Sequence, residues 1–169
     1  MSDLTTAARE HDGWIHDAAH ALGVDESLVQ SEAYLAADGG AVDPARVATG
    51  VPDAVVFNGV ARQYDAAPLT ARVGDRVRFW VLDAGPNHAS SFHVVGGQLD
   101  TAWAEGAYRL RRGVDAFGEK DGGSQILPLQ PAEGGFVELV LPEAGHYPFV
   151  THVMSDAERG AHGILRVIR

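Results

Sequence analysis

The sequence predicts an all-β protein: a Greek-key β-sandwich of about seven or eight strands with an added N-terminal α-helix. From Ala54 onward, short apolar runs follow one another closely, and each run is bounded by Gly, Pro, Asp or Asn. The run RVRFWVLD (76–83) alternates, so that Val77, Phe79 and Val81 lie on one face of a strand. Runs of this kind, repeated over about 115 residues, are typical of an antiparallel sandwich.

The chain is expected to have three parts. Residues 1–27 are a helical extension, because one stripe recurs at three- and four-residue spacing between residues 4 and 22, namely Leu4, Ala8, His11, Ile15, Ala18 and Leu22. Residues 28–53 are an extended segment, LVQSEAYL (28–35), followed by a linker that contains Gly, Asp and Pro. Residues 54–169 are the sandwich domain.

The strands of this third part are predicted in chain order. They are AVVFNG (54–59), LTARVGDRVRFWVLDAG (69–85), SSFHVVGG (90–97), SQILPL (124–129), GGFVELVLPEAG (134–145), HYPFVTHV (146–153) and HGILRVIR (162–169). Residues 108–123, YRLRRGVDAFGEKDGG, are expected to be a charged surface loop. Residues 155–163, SDAERGAHG, are expected to be a short helical turn between the last two strands.

Composition and charge limit the partners and the compartment. The formal net charge of −10 repels nucleic acid and anionic membranes, so neither is an expected partner. No basic segment leads into an apolar core at the N-terminus, and no apolar run reaches the ~20 residues of a membrane helix. The sequence as written therefore predicts a soluble, cytoplasmic protein. The absence of cysteine excludes disulfides and thiolate metal ligands.

Two of the eight histidines occupy positions that favour a metal or catalytic site. In SSFHVVG, His93 points away from the face of Phe92 and Val94, and His152 ends a strand whose Val150 shares its face. Neutral imidazole nitrogens are suitable ligands for copper and zinc. The alternative is that each is a half-buried histidine bonded to a backbone carbonyl.

Three further histidines are weaker metal candidates. His88 lies in the turn GPNHASS, five residues before the first strand histidine, and could be a ligand or a neighbour of the site. His16 and His20 are four residues apart on the predicted helix, a spacing that can chelate a transition metal and that also occurs by chance. His146 and His162 are expected to be solvated.

Other catalytic signatures are absent from the sequence. It contains no G-x-S-x-G, no phosphate-binding loop and no H-E-x-x-H helix. It also lacks the His-x-His pairs that cupin-like and laccase-type metal sites need. None of these catalytic classes is therefore expected.

Two long stretches carry a resemblance to a known family. The more specific pieces are GPN-x-x-SSFHVVG, PAEGGFVEL, GHYPFVTH and ERGAHGILRV. They resemble the second, C-terminal cupredoxin domain of copper-containing nitrite reductases and of related actinobacterial two-domain multicopper oxidases. The resemblance runs from Leu28 to the C-terminus, and it implies a cupredoxin-like fold.

The resemblance also implies a copper site shared between subunits. In that family two cupredoxin domains form one chain and three chains form a ring. The first domain carries the type 1 copper with its cysteine and two histidines of the type 2 copper. Carried over to this sequence, His152 in FVTH matches the remaining type 2 ligand, and His93 in SSFH matches the histidine that relays protons to substrate.

The departures from the family pattern leave two functions open. The first domain is missing from this sequence, and residues 1–27, which match nothing in the family, stand in its place. One expectation is a homotrimeric copper oxidoreductase with a type 2-like centre, no type 1 copper and an external electron donor. Its missing ligands would come from His88, from a neighbour's N-terminal histidines or from a separately encoded cupredoxin domain. The other expectation is a non-catalytic trimeric scaffold or assembly module that has lost redox chemistry.

Overall fold

The computed structural model describes residues 26–36 and 42–169, in which strands outnumber helices. The strands are β1 Glu26–Ala33, β2 Ala54–Phe57, β3 Leu69–Arg72, β4 Arg76–Asp83, β5 Ser90–Val94, β6 Thr101–Ala104, β7 Ala107–Arg111, β8 Val114–Asp115, β9 Leu127–Leu129, β10 Gly134–Val140, β11 Gly145–Thr151 and β12 His162–Ile168. The helices are short: α1 Pro44–Val47, α2 Gln63–Ala66 and α3 Met154–Glu158.

The strands form two sheets that face each other. A seven-stranded sheet has the order β2-β1-β4-β10-β6-β7-β8, and a five-stranded sheet has the order β3-β12-β11-β5-β9. Most neighbouring strands are antiparallel, but β1 pairs with β4 and β3 pairs with β12 in parallel. Between the two strands of each parallel pair, the chain passes through the other sheet. The predicted cupredoxin-like sandwich is confirmed, as two mixed sheets rather than purely antiparallel ones.

The apolar faces of the two sheets make one core. The predicted alternation of β4 is confirmed, because Val77, Phe79 and Val81 are buried and their neighbours in the strand are more exposed. Phe79 contacts Phe92 of the opposite sheet at a ring-centroid distance of 5.3 Å and Phe149 at 5.6 Å. Such tilted aromatic pairs stabilise the core beyond the area that they bury.

Residues 108–123 are more regular than the sequence predicts. The expected loop contains β7 and β8, which extend the edge of the seven-stranded sheet as a hairpin. Only Leu110 of β7 is buried, so the segment lacks the apolar alternation that would identify a strand. The prediction of a loop was wrong for residues 108–111 and 114–115 for that reason, whereas residues 116–123 contain no strand or helix. The helical turn expected at 155–163 is found, as α3.

The N-terminal half of the predicted linker region is part of the sandwich. LVQSEAYL is extended as expected, and most of it lies in β1, which occupies an interior position between β2 and β4. The helix predicted for residues 4–22 lies outside the described residues. Within residues 26–36 and 42–169, no helix has the length and apolar character needed to cross a membrane.

Candidate functional site

His93 and His152 meet on the outer face of the five-stranded sheet. β5 and β11 are antiparallel, and Val150 is the register partner of His93. Phe92 and its register partner Thr151 point inward and are buried, so the next residue on either side of each along its strand points outward. His152 follows β11 directly, and its ring centroid lies 5.3 Å from that of His93, with the planes inclined at 57°. The fold thus brings together the two residues that the sequence singled out.

The His93 ring is oriented by a backbone carbonyl. Its Nδ1 lies 2.5 Å from the carbonyl oxygen of Gln125, in the segment that leads into β9. A carbonyl can only accept a hydrogen bond, so Nδ1 carries the hydrogen. In the neutral ring the lone pair is therefore on Nε2. This partly matches the alternative reading from the sequence, a half-buried histidine on a backbone carbonyl, but Nε2 remains available.

The backbone of His152 is fixed, whereas its ring is exposed. Its N–H donates to the Ser91 carbonyl at 2.7 Å, which continues the β5–β11 ladder by one residue. The buried Thr151 hydroxyl accepts the Ser91 N–H at 3.1 Å and so fixes the same crossing point. In the described part of the chain the His152 ring contacts His93 and makes no hydrogen bond. Both ring nitrogens are accessible to a ligand.

His88 has a different environment, because both of its ring nitrogens have partners. Nδ1 lies 2.8 Å from Asp156 Oδ2 of α3, and Nε2 lies 2.7 Å from the Gly50 carbonyl. Burial lowers the pKa of His88, but the bonds to Asp156 and Gly50 and the nearby carboxylates outweigh it and leave the pKa raised. In this conformation His88 has no nitrogen lone pair free for a metal.

The pair of exposed histidines is not a complete metal site by itself. Residues 26–36 and 42–169 contain no group of three or more His, Cys, Asp or Glu side chains placed to hold a metal ion. His16 and His20, the other predicted ligands, lie outside the described residues. His162, expected to be solvated, is 3.2 Å from Asp65, whereas His146 is exposed as expected.

Sequence reasoning did not find the partners that orient these rings. Gln125 acts through its carbonyl, which any residue type would supply, so no residue pattern could have identified it. Asp156 is fully buried and bonded to a histidine 68 residues earlier in the chain, and its position in a polar turn gave no sign of burial. Both contacts depend on which strands become neighbours.

The two-sheet sandwich is a cupredoxin-like domain. Comparisons with known proteins show which cupredoxin-containing proteins it is similar to. No protein-family model matches the chain. The copper-containing nitrite reductase of Neisseria meningitidis serogroup A is 36% identical over 118 residues, which are 69% of this chain and 28% of that protein. The chain thus spans less than a third of the length of this curated relative.

Solved structures give the same result. A Cu-containing nitrite reductase from Thermus scotoductus matches 88% of this chain and 32% of its own, with 31% identity and a TM-score of 0.68. A copper nitrite reductase from Nitrosomonas europaea matches 86% of this chain and 49% of its own, with 25% identity and a TM-score of 0.71. Multicopper oxidases below 25% identity share the fold. The chain is a cupredoxin domain that resembles a domain of copper-containing nitrite reductases.

Proposed function

We propose that the chain is a copper-binding domain in which His152 is a ligand of a type 2-like centre and His93 delivers a proton to the substrate. The observation that carries the proposal is the proximity of the two imidazoles on an exposed sheet face, with rings 5.3 Å apart. It is supported by relatives whose names state that they contain copper and reduce nitrite. No type 1 copper is expected, because the sequence has no cysteine.

The donor chemistry fits copper. An imidazole nitrogen with a free lone pair is a good ligand for Cu(II), and the exposed His152 ring offers one. When bound, copper would supply a one-electron redox centre and a Lewis acid for a small oxygen-containing substrate such as nitrite or dioxygen. His152 would hold the ion at the rim of the sheet, where a second chain can reach it.

His93 is suited to move a proton. Its Nδ1–H is engaged by Gln125, so proton exchange with a neighbouring molecule takes place at Nε2. A histidine held by a backbone carbonyl keeps one tautomer and one ring orientation, and both favour general acid–base catalysis. We assign His93 as the group that gives a proton to substrate beside His152.

A second chain would complete the site. With His152 as its ligand from this chain, a type 2-like copper would be short of ligands, and the described residues contain no group of three or more metal-binding side chains. A homotrimer would supply the missing ligands from a neighbour's His16 and His20, and a separately encoded cupredoxin domain is the other source. Electrons would come from an external donor, since the chain has no cysteine for a type 1 copper.

The same incompleteness favours a second function, that of a non-catalytic trimeric scaffold or assembly module. Residues 26–36 and 42–169 contain no group of three or more side chains that could hold a metal ion, so a single chain would hold copper weakly. Such a protein would keep the trimer-forming surface of the fold and have lost redox turnover.

Copper titration of the metal-free protein, followed by EPR and paired with light scattering, tests the proposal. We expect about one type 2 copper per chain in a trimer, with loss of this copper in His152→Ala. His146→Ala is the matched control, because it removes an exposed histidine from the outer face of the same strand, about 20 Å away. His93→Ala should keep the copper and lower nitrite reduction about 100-fold or more.

Three results would contradict the proposal in different ways. A copper signal that survives His152→Ala would show that the ligands lie elsewhere. A trimer that takes up no stoichiometric copper would favour the scaffold. A copper-loaded protein in which His93→Ala reduces nitrite as fast as wild type would remove the proton-delivery role.

A further inference from the structure

We infer that the side-chain pair of His88 and Asp156 is a clamp that positions the two histidines of the copper site proposed above. The inference rests on that proposed function for its effect on copper. His88 lies five residues before His93, and Asp156 lies four residues after His152. The pair therefore joins the two chain segments that flank the site.

The clamp continues the ladder between β5 and β11. The last register pair at this end is Phe92 with Thr151, and the His152 N–H then bonds the Ser91 carbonyl at 2.7 Å. Beyond this point the two backbones separate, one into the turn before β5 and the other into α3. The next connection between them is the 2.8 Å contact of His88 Nδ1 with Asp156 Oδ2.

The position of Asp156 affects that of His152 because a short hydrogen-bonded turn of backbone connects them. Its N–H donates to the Val153 carbonyl at 2.8 Å, and Val153 is bonded covalently to His152. The Asp156 side chain is fully buried, so it has no solvent with which to replace a lost partner. Arg159, 3.6 Å away, is the other cation beside it.

His88 is itself anchored on two further sides. Its Nε2 bonds the Gly50 carbonyl at 2.7 Å, and its backbone N–H donates to Glu32 Oε1 at 2.5 Å. The same carboxylate accepts the Asn87 N–H at 2.7 Å and the Tyr34 hydroxyl. The turn before β5 is thereby bonded to β1 and to the segment that follows β1, and these bonds hold His88 in place.

The contacts of His88 favour its protonated ring. The Gly50 carbonyl can only accept a hydrogen bond, and so can an ionised Asp156. A neutral ring has one N–H and satisfies one of them, whereas the imidazolium satisfies both. Five titratable or charged groups surround it. They are Asp156 in α3 and Arg159 just after it, Glu32 in β1 and Tyr34 just after it, and the buried Asp83 at the end of β4.

The proton makes the clamp dependent on pH in one direction. The pKa of His88 is raised in the folded protein, so the clamp is complete at low pH and weakens as pH rises through that value. The ratio of the wild-type copper affinity to that of a clamp variant, measured at each pH, isolates the clamp, because pH effects common to both proteins cancel in it.

The first test uses the metal-free protein. Long-range proton–nitrogen NMR spectra of the imidazoles are compared for wild type, His88→Gln, Asp156→Asn and the control His146→Gln. His146 is a suitable control because it is exposed and lies on the outer face of β11, about 20 Å from His152 along the strand. We expect the His93 and His152 resonances to shift or split in both clamp variants and to stay unchanged in the control.

The second test measures copper affinity in the same variants across pH. Loss of a residue that orients a metal ligand lowers metal affinity about 10–100-fold. The copper affinity of His88→Gln should therefore be about 10-fold or more below that of wild type at low pH. The loss should shrink as pH rises, because wild type then loses its clamp as well. A role limited to folding would lower the melting temperature without this convergence.

Each outcome decides one claim. Unchanged His93 and His152 resonances in both clamp variants would overturn the clamp, whatever the copper results. A loss of affinity that is equal at all pH values would overturn the role of the proton. If wild type binds no copper while the clamp variants still disturb both site resonances, the clamp stands and the proposed copper function fails.

Discussion

Replacing Asp83 by Asn is expected to change how the stability of the protein depends on pH. Asp83 ends β4, is fully buried, and accepts the Gly85 N–H at 3.0 Å through Oδ1. Its Oδ2 has no hydrogen-bond partner in the described residues. Burial raises the pKa of Asp83 from 3.8 to about 6, against the opposing effect of hydrogen bonds from Gly85 and Ser90. Asn keeps the shape and the acceptor and cannot ionise.

The sign and the size follow from the two pKa values. Between 3.8 and about 6 the folded state holds the proton of Asp83 more firmly than the unfolded chain does. The contribution of Asp83 to the free energy of unfolding is therefore largest below 3.8 and is lost as pH rises through about 6. At about 1.4 kcal/mol per pH unit the full effect is about 3 kcal/mol, of which about 2 kcal/mol falls between about pH 4.5 and pH 7.5.

Urea unfolding of wild type and Asp83→Asn at a series of pH values measures this effect. The test compares the two free energies of unfolding. From about pH 4.5 to pH 7.5, that of wild type should fall by about 2 kcal/mol relative to that of Asp83→Asn. Asp75→Asn, which removes one negative charge from the exposed turn between β3 and β4, is the control for net charge. A difference that stays constant with pH would refute the account, because it would mean that Asp83 is not harder to ionise in the folded state.

Two further predictions concern packing. A Cβ at Gly135 would lie 2.4 Å from the Trp103 carbonyl oxygen, so Gly135→Ala should destabilise the protein by about 1–3 kcal/mol in urea unfolding. At its neighbour Gly134 the nearest atoms to an added Cβ are 3.8 Å away, so an equal loss in Gly134→Ala would show that the contact with Trp103 is not responsible. Phe92→Ala removes a fully buried ring from its contact with Phe79 and should cost about 3–5 kcal/mol in the free energy of unfolding. A thermal scan that places this variant within about 2 °C of wild type would contradict that assignment to the core.

The fold was predictable wherever apolar residues alternate along a strand. RVRFWVLD and SSFHVVGG show this pattern, and they became β4 and β5 with the expected residues buried. The hairpin of β7 and β8 was not predictable, because a strand at a sheet edge with one buried side chain leaves no period in the sequence. The parallel pairing of β1 with β4 depends on the route of the chain between sheets, which local patterns do not contain.

The sequence singled out the two histidines of the candidate site and not their surroundings, and the roles of both histidines stay predictions. The alternation of β5 and β11 was enough to place His93 and His152 on an outward face. Their proximity followed only once β5 and β11 were known to be neighbours. The sequence predicts His88 as a weaker ligand, because it lies in a turn close to a strand histidine. Nothing in the sequence indicates that His88 contacts a buried carboxylate 68 residues away. That ligand role stays a prediction, and both of its nitrogens are engaged in this conformation.

The position of β12 affects how the chain behaves during its synthesis. This strand lies between β3 and β11, although residues 162–168 are synthesised after both of these neighbours. At about 5–20 residues per second, the interval between residue 151 and residue 168 lasts about 1–3 s. Throughout it, β11 presents an unpaired edge beside the histidine pair, open to pairing with another nascent chain. Faster translation would shorten this interval and with it the time for which the edge of β11 is open.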